Sequence, residues 1–137
     1  MNNKEYQRLA EITESKDFDT IRDRMNTVRS IRLIHSILGL ASEVGEIADQ
    51  LKRSIFYGKD LDVVNLAEEL GDVFWYEALM TNELATTHPE ISFDSIEEIN
   101  IAKLKKRYGD KFSEQRAVKR DLVVERRILE GINSLEK

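Results

Sequence analysis

The chain has 137 residues, with six glycines, one proline and no cysteine. This length fits one compact domain, so we predict a single domain over residues 1–137. The absence of cysteine excludes disulfides, zinc-thiolate sites and thiol nucleophiles. The formal net charge of −5 argues against nonspecific binding of a nucleic acid backbone. A small phosphorylated ligand remains compatible with this charge, because a bound cation can reverse the local sign.

The N-terminal segment, Met1 to Glu14, is charged throughout and does not contain the apolar stretch of a signal peptide. No apolar run approaches the roughly 20 residues that a transmembrane helix requires. We therefore expect a soluble cytoplasmic protein with neither a membrane nor a nucleic acid as its partner.

Apolar residues at helical spacing predict helices throughout the first half of the chain. A short helix is predicted over residues 3–14, and a second from Phe18 to Met25. Steps of three and four residues then continue without a break, which predicts a long amphipathic helix over residues 28–56. Gly58 is expected to end this helix in the left-handed conformation. The apolar stripe of the long helix consists of Val28, Ile31, His35, Leu38, Ala41, Val44, Ala48, Leu51 and Ile55.

The second half of the chain continues the helical pattern. A helix is predicted over residues 62–86. The pair His88-Pro89 interrupts the helical pattern, since proline has no backbone N–H to donate and restricts the residue before it. Ser95 followed by Glu98 predicts a capping box that opens another helix ending near Gly109. A last helix is predicted over residues 114–129 or beyond, with Ile132 on its apolar face.

These elements predict an all-α helical bundle in one domain. Its centre is an antiparallel hairpin formed by residues 28–56 and 62–86, and the remaining helices flank this hairpin. We expect a homo-oligomer to bury the apolar surface that is left over.

Two octets inside the central helices repeat one pattern. Residues 40–47 read Leu-Ala-Ser-Glu-Val-Gly-Glu-Ile, and residues 66–73 read Leu-Ala-Glu-Glu-Leu-Gly-Asp-Val. They match in residue type at seven positions. Each octet contains two carboxylates at i and i+3, a spacing that places both on one face of a helix. The pairs are Glu43 with Glu46 and Glu69 with Asp72.

The turn at Gly58 lies about midway between the octets, so a hairpin would bring them level. At roughly 1.5 Å per residue, Glu46 and Glu69 stand at comparable heights above the turn. Gly45 and Gly71 each cost a helix about 1 kcal/mol relative to alanine. The same loss in both copies predicts that the two backbones approach closely there and that the four carboxylates converge.

Four converging carboxylates repel one another, and a divalent cation removes this conflict. Mg²⁺ prefers oxygen ligands and is commonly shared between carboxylates and substrate phosphates, and two such ions can promote phosphoryl hydrolysis. A single pair at this spacing is usually a solvated helix face, but a matched repeat around a centred turn favours metal binding. A di-iron site is disfavoured because neither histidine, His35 nor His88, falls three residues after a glutamate.

These residues resemble the MazG-like, all-α nucleotide pyrophosphohydrolases. Glu43-x-x-Glu46 followed by Glu69-x-x-Asp72 is similar to the metal motif of that family, and residues 100–108 resemble its third block. The resemblance covers about residues 30 to 112. One acidic motif alone is weak evidence for this family, whereas the three blocks in this order are specific to it.

The resemblance implies Mg²⁺-dependent hydrolysis of nucleoside or deoxynucleoside triphosphates to the monophosphate and pyrophosphate, with Mn²⁺ as a second possible ion. It implies that Glu43, Glu46, Glu69 and Asp72 are both the metal ligands and the catalytic residues, with two or more ions per site. One carboxylate or a metal-bound hydroxide would activate the water, and this choice stays open. The implied assembly is a homodimer or homotetramer. The implied role is adjusting or cleansing a nucleotide pool, with a regulatory alarmone as the second substrate class.

Candidate substrate ligands come from two helices. Asn100, Lys103 and Arg107 share one helical stripe and can offer an amide and two cations to phosphate oxygens. A solvated basic face is the alternative, and the resemblance favours ligand contact. Tyr76 follows Asp72 by four residues and is a candidate for lining the nucleotide pocket, although aromatic residues at helical spacing usually pack in a core.

Arg53 is expected to form a surface ion pair rather than to reach a phosphate, and His35 is expected to be partly buried. A noncatalytic helical oligomer that binds a nucleotide or a protein partner is the alternative function. The four intact acidic positions favour the enzyme.

Overall fold

The computed structural model describes residues 1–131, and within this range it contains seven α-helices and no β-strand. The prediction of an all-α fold is confirmed. The helices are α1 (Asn3–Thr13), α2 (Phe18–Met25), α3 (Val28–Tyr57), α4 (Val63–Ala85), α5 (Phe93–Tyr108), α6 (Glu114–Val118) and α7 (Leu122–Leu129). None of these seven helices combines the length and the apolar character needed to cross a membrane.

The chain forms two compact units, Met1–Tyr76 and the residues from Glu77 onward. The first unit contains α1, α2, α3 and the first part of α4, and the second contains the rest of α4 together with α5, α6 and α7. The assignment of residues 1–137 to a single domain stays a prediction. Ile132, predicted to extend the last helix, lies outside the described residues.

The long helix α3 begins and ends where its sequence predicts. The hydroxyl of Thr27 accepts a hydrogen bond of 3.0 Å from the backbone N–H of Ser30, which caps the first turn. Gly58 has φ of 68° and lies in the left-handed region that ends helices. The N–H groups of Gly58 and Lys59 both reach back to the carbonyl of Arg53, the second at 3.3 Å.

Within the first unit, the first part of α4 folds back along α3 in an antiparallel hairpin. Its start is fixed by Asp62, whose carboxylate accepts from the N–H groups of Val64 and Asn65 at 3.1 and 3.0 Å. The antiparallel direction follows from the pairing, because His35 on α3 meets Trp75 on α4 while the later Glu43 and Glu46 of α3 meet the earlier Glu69. The predicted antiparallel pairing of these two helices is confirmed for the residues of the first unit.

The start of α5 differs from the prediction, which placed the capping box at Ser95 and Glu98. Ser92 is the capping residue, and α5 begins at Phe93. The N–H of Ser95 donates to Oγ of Ser92 at 3.1 Å, and the N–H of Ser92 donates to Oγ of Ser95 at 2.9 Å. A serine hydroxyl therefore takes the role that a glutamate usually has in this reciprocal pair.

The predicted single helix over residues 114–129 was wrong, because two short helices, α6 and α7, occupy this segment. The carboxylate of Asp121 accepts from the N–H of Val124 at 3.0 Å and thereby opens α7 as a new helix. Short acidic side chains compete with the helix for backbone N–H groups, so the apolar period alone does not reveal the break.

Many large apolar side chains of the helices are exposed to solvent. No apolar side chain among residues 1–131 is buried. The large apolar members of the α3 stripe are exposed by between 38% for Leu51 and 73% for Val28. His35, which was expected to be partly buried, is exposed as well. The amphipathic pattern predicts the helix correctly, but its apolar stripe is not covered by residues 1–131.

Candidate metal centre and substrate site

Three carboxylates from two helices meet in the first unit. Glu43 lies on α3, and Glu69 and Asp72 lie on α4. One carboxylate oxygen from each falls within 4.8 Å of the others, a spacing at which one ion could bind all three. Glu69 is buried, Glu43 is half-buried and Asp72 is exposed, so the group opens to solvent on one side.

The fourth predicted ligand, Glu46, lies beside this group of three. Its charge acts on Glu43, and its side chain lines a cavity together with Glu69. The hairpin therefore brings Glu43, Glu69 and Asp72 within reach of one cation, with Glu46 next to them.

An amide that sequence reasoning missed holds the buried carboxylate in place. Asn65 donates through Nδ2 to Oε1 of Glu69 at 2.8 Å and to Oε2 of Glu68 at 3.3 Å. Asn65 precedes Glu69 by four residues, so both lie on one face of α4. That spacing was the signal in the sequence that could have identified Asn65.

The carboxylates of the group perturb one another. The pKa of Glu43 is raised above its ordinary value, first because burial disfavours its charged form. A hydrogen bond with Glu69 and the negative charges of Glu46 and Asp72 raise it further. Several carboxylate oxygens that repel one another form the donor set that a hard divalent cation such as Mg²⁺ prefers. The residues present therefore fit such an ion.

A cavity of about 380 Å³ adjoins the carboxylates. Its walls come from α3 and α4, and they consist of Ser42, Gly45, Glu46, Asp49, Gln50, Arg53, Asn65 and Glu69. Gly45 leaves open space at this wall, since a Cβ placed there would meet nothing within 4 Å, and the same is true of Gly71. The predicted close approach of the backbones at these two glycines was wrong.

Arg53, the cation that lines this cavity, and the neighbouring Lys52 both pair with Asp49. Nε of Arg53 lies 2.5 Å from Oδ2 of Asp49, and Lys52 contacts the other oxygen of the same carboxylate. The pKa of Asp49 is lowered, first by the hydrogen bond from Lys52, and the charge of Arg53 acts in the same direction. The expected ion pair of Arg53 is confirmed.

Close contact between the two helices occurs at Tyr76 and Gly39. A Cβ at Gly39 would overlap the ring of Tyr76, so only glycine leaves room for this ring against α3. The ring centroid of Tyr76 lies 4.9 Å from that of Trp75 and 5.7 Å from that of His35, both edge-on. Tyr76 thus packs in an aromatic cluster four residues beyond Asp72, and its contact with substrate stays a prediction.

The predicted basic stripe of α5 divides between two environments in the second unit. Asn100 and Lys103 line a cavity of about 580 Å³ whose walls are mainly apolar, with Ile96, Ile99 and Leu129 among them. Arg107 lies outside this cavity. The structure therefore places two of the three candidate substrate ligands together and the third elsewhere.

Arg107 forms a two-point ion pair with Glu125. Its Nε lies 2.7 Å from Oε1 and its Nη2 lies 2.5 Å from Oε2, while Nη2 of Arg120 lies 2.7 Å from Oε2. Glu125 is buried, and the hydrogen bonds from Arg107 and then Arg120 lower its pKa to about 2. The pKa of Arg107 is raised, first by the hydrogen bond to Glu125. Sequence reasoning missed this triad, because Glu125 lies 18 residues from Arg107.

The carboxylates lie within a segment of the chain that matches a known protein family. The model of the MazG nucleotide pyrophosphohydrolase domain matches residues 34–112, a range that contains both acidic motifs and the basic stripe of α5. The Gene 37 protein of Mycobacterium phage L5 is 33% identical over 82 residues, which are 55% of this chain and 65% of that protein. The chain thus spans slightly less than two thirds of this relative. No solved structure matches. Because the matched segment is more than half of the chain, the protein belongs to the family of MazG nucleotide pyrophosphohydrolase domains.

Proposed function

We propose that the protein hydrolyses nucleoside or deoxynucleoside triphosphates to the monophosphate and pyrophosphate with the help of Mg²⁺, and so adjusts or cleanses a nucleotide pool. One observation supports this proposal above the others. Carboxylate oxygens of Glu43, Glu69 and Asp72 lie within 4.8 Å of one another inside the segment that matches the family.

Each carboxylate has a defined part in the proposal. Glu43, Glu69 and Asp72 bind the cation, and Glu46 extends the site toward a second ion across the adjoining cavity. Asn65 keeps the Glu69 carboxylate in its ligating orientation. Bound Mg²⁺, or Mn²⁺ in its place, supplies Lewis acidity to the phosphoryl oxygens and offsets their charge. Water adds to the α-phosphorus while the bond to the bridging oxygen breaks, and pyrophosphate leaves.

The substrate ligands in the proposal are Asn100, Lys103, Arg107 and Tyr76. The cavity that Asn100 and Lys103 share supports a joint role for these two, because it combines an apolar wall with a few polar groups, as ligand sites commonly do. Arg107 uses its Nε and Nη2 groups for the carboxylate of Glu125, so it can offer this edge of the guanidinium to a phosphate only by releasing Glu125.

The proposed assembly is a homodimer or homotetramer. The open apolar stripe of α3 supports it, since large contiguous apolar surfaces on a folded chain usually mark an interface. Light scattering coupled to size exclusion measures the mass, and a 15.9 kDa species would contradict the proposed assembly.

Product analysis tests the reaction. Ribonucleoside and deoxynucleoside triphosphates are incubated with the protein, with and without Mg²⁺, beside the variants Glu46→Gln and Asp72→Asn. The matched control is Glu11→Gln on exposed α1. We expect release of monophosphate and pyrophosphate that requires Mg²⁺, is retained by Glu11→Gln and is lost in both site variants. No turnover by a folded, metal-binding protein would favour a noncatalytic binding module instead.

A further inference from the structure

The amide of Gln50 is a polar group that the proposed chemistry leaves unused. Gln50 follows Glu46 by one helical turn and lines the same cavity as Glu46 and Glu69. Its Oε1 and Nε2 atoms are both buried, and among residues 1–131 neither has a hydrogen-bond partner. Buried polar atoms in folded proteins nearly always have a partner, so this amide requires one.

Asn65, Asp49 and Arg53, three other polar residues of the cavity, have protein partners. The Asn65 amide donates to Glu69 and Glu68. Arg53 and Lys52 both contact Asp49. The amide of Gln50, by contrast, has no partner among residues 1–131, which leaves its donor and acceptor to be satisfied by a ligand of the cavity.

The chemistry of the cavity indicates what this ligand offers. The carboxylates of Glu46 and Glu69 can accept hydrogen bonds but cannot donate them when ionised, and phosphate oxygens likewise only accept. A polyphosphate held through a cation at these carboxylates therefore needs a donor from another side chain. The Nε2 group of Gln50 is such a donor, and Oε1 can accept from a water in the hydration shell of the cation.

We infer that Gln50 is a substrate-contact residue, whose amide donates to an oxygen of the phosphate chain of a bound nucleoside triphosphate. This inference rests on the proposed function and adds an uncharged side chain to the residues proposed to contact the substrate. The cavity volume of about 380 Å³ accommodates part of a phosphate chain with several waters, since one water occupies about 30 Å³ in the liquid.

The test replaces Gln50 by methionine, which keeps the length of the side chain and removes the amide. The control is Gln7→Met, at an exposed glutamine of α1 in the same unit. Two quantities are measured for each protein. The first is the Tm of the metal-free form. The second is the Kd for the non-hydrolysable α,β-methylene analogues of the four ribonucleoside and the four deoxynucleoside triphosphates with Mg²⁺, obtained by calorimetry.

We expect Gln50→Met to leave the metal-free Tm unchanged or raise it, because an unpaired buried amide is lost. We expect the Kd of the analogue that binds wild type best to rise by about tenfold, as for one lost hydrogen bond to a charged group. Gln7→Met should change neither quantity. Gln50→Glu should bind more weakly than Gln50→Met, because a carboxylate repels the phosphate chain.

Three results would overturn the inference. An unchanged Kd in Gln50→Met, beside a wild type that binds, would remove Gln50 from the site and leave the proposed function intact. A lowered metal-free Tm would show that the amide has a protein partner instead. Tighter binding by Gln50→Glu than by Gln50→Met would show that position 50 contacts the cation and not a phosphate. If wild type binds none of the analogues, the proposed function itself fails.

Discussion

The side-chain amide of Asn65 donates a hydrogen bond of 2.8 Å to Oε1 of Glu69, one helical turn further along α4. Glu69 is the buried member of the carboxylate group. A ligating carboxylate that is itself hydrogen-bonded has a fixed orientation, and the loss of its partner weakens metal binding. Asn65 therefore holds in place the proposed metal ligand that has the least access to solvent.

Asn65→Leu should weaken Mg²⁺ binding by roughly 10- to 100-fold, because Glu69 loses the donor that orients it. Titration calorimetry with Mg²⁺ measures the change. Asn82→Leu, at an exposed position of the same helix, provides the control and should bind Mg²⁺ as wild type does. Equal affinities for Asn65→Leu and wild type would mean that Glu69 does not ligate the ion.

Gly39→Ala should destabilise the protein by about 1–3 kcal/mol, because the new methyl group overlaps the ring of Tyr76. Gly71→Ala is the matched control in the partner helix, where the methyl group enters open space. Alanine is the better helix former, so this control should be more stable than wild type by up to about 1 kcal/mol. Urea unfolding measures both changes, and a stabilised Gly39→Ala variant would contradict the packing of Tyr76 on α3.

Stability should depend on pH through Glu125. Its pKa is lowered to about 2 from an ordinary value of 4.5, so its ion pairs stabilise the folded state fully above pH 4.5. This contribution should be lost progressively as the pH falls from 4.5 toward 2. We expect Glu125→Gln to melt several degrees below wild type at pH 7 and the difference to shrink over that interval.

Thermal melts of wild type and Glu125→Gln between pH 7 and pH 2 measure this dependence. Glu130→Gln serves as the control, because its ion pair with Arg126 is a solvent-exposed pair at the end of α7 and contributes little. A constant difference in Tm between wild type and Glu125→Gln across the whole range would contradict the role of the triad.

Lys103→Met should raise KM by roughly tenfold and leave the Tm close to that of wild type, because the removed ammonium contacts the substrate phosphates in the proposed function. Lys105→Met, at an exposed position two residues along the same helix, should leave KM unchanged. Steady-state kinetics on the best triphosphate substrate gives both values. An equal effect of the two variants would indicate a general loss of positive charge and no specific contact.

The features that the sequence predicted well are local or repeated. Helical spacing and Gly58 predict the bounds of α3 to within one residue. The matched octets and the centred turn predict that Glu43 meets Glu69 and Asp72. In a hairpin of regular helices, the number of residues from the turn fixes how far along the helix each side chain lies.

The features that were missed depend on a choice between competing partners. Periodicity places Arg107 on a basic stripe but does not reveal that Glu125 binds its guanidinium from another helix. It also misses the break before α7, where the Asp121 side chain takes a backbone N–H. Gly45 fitted the pattern for close approach of the backbones, yet the close contact between the two helices lies six residues earlier, at Gly39.

The most direct test of the proposed function is phosphorus NMR of the reaction products with saturating Mg²⁺, comparing wild type with Glu69→Gln. The account predicts equal amounts of monophosphate and pyrophosphate from wild type, and a rate reduced by roughly 100-fold or more in a Glu69→Gln protein that remains folded. Formation of diphosphate and orthophosphate, or an undiminished rate in Glu69→Gln, would contradict it.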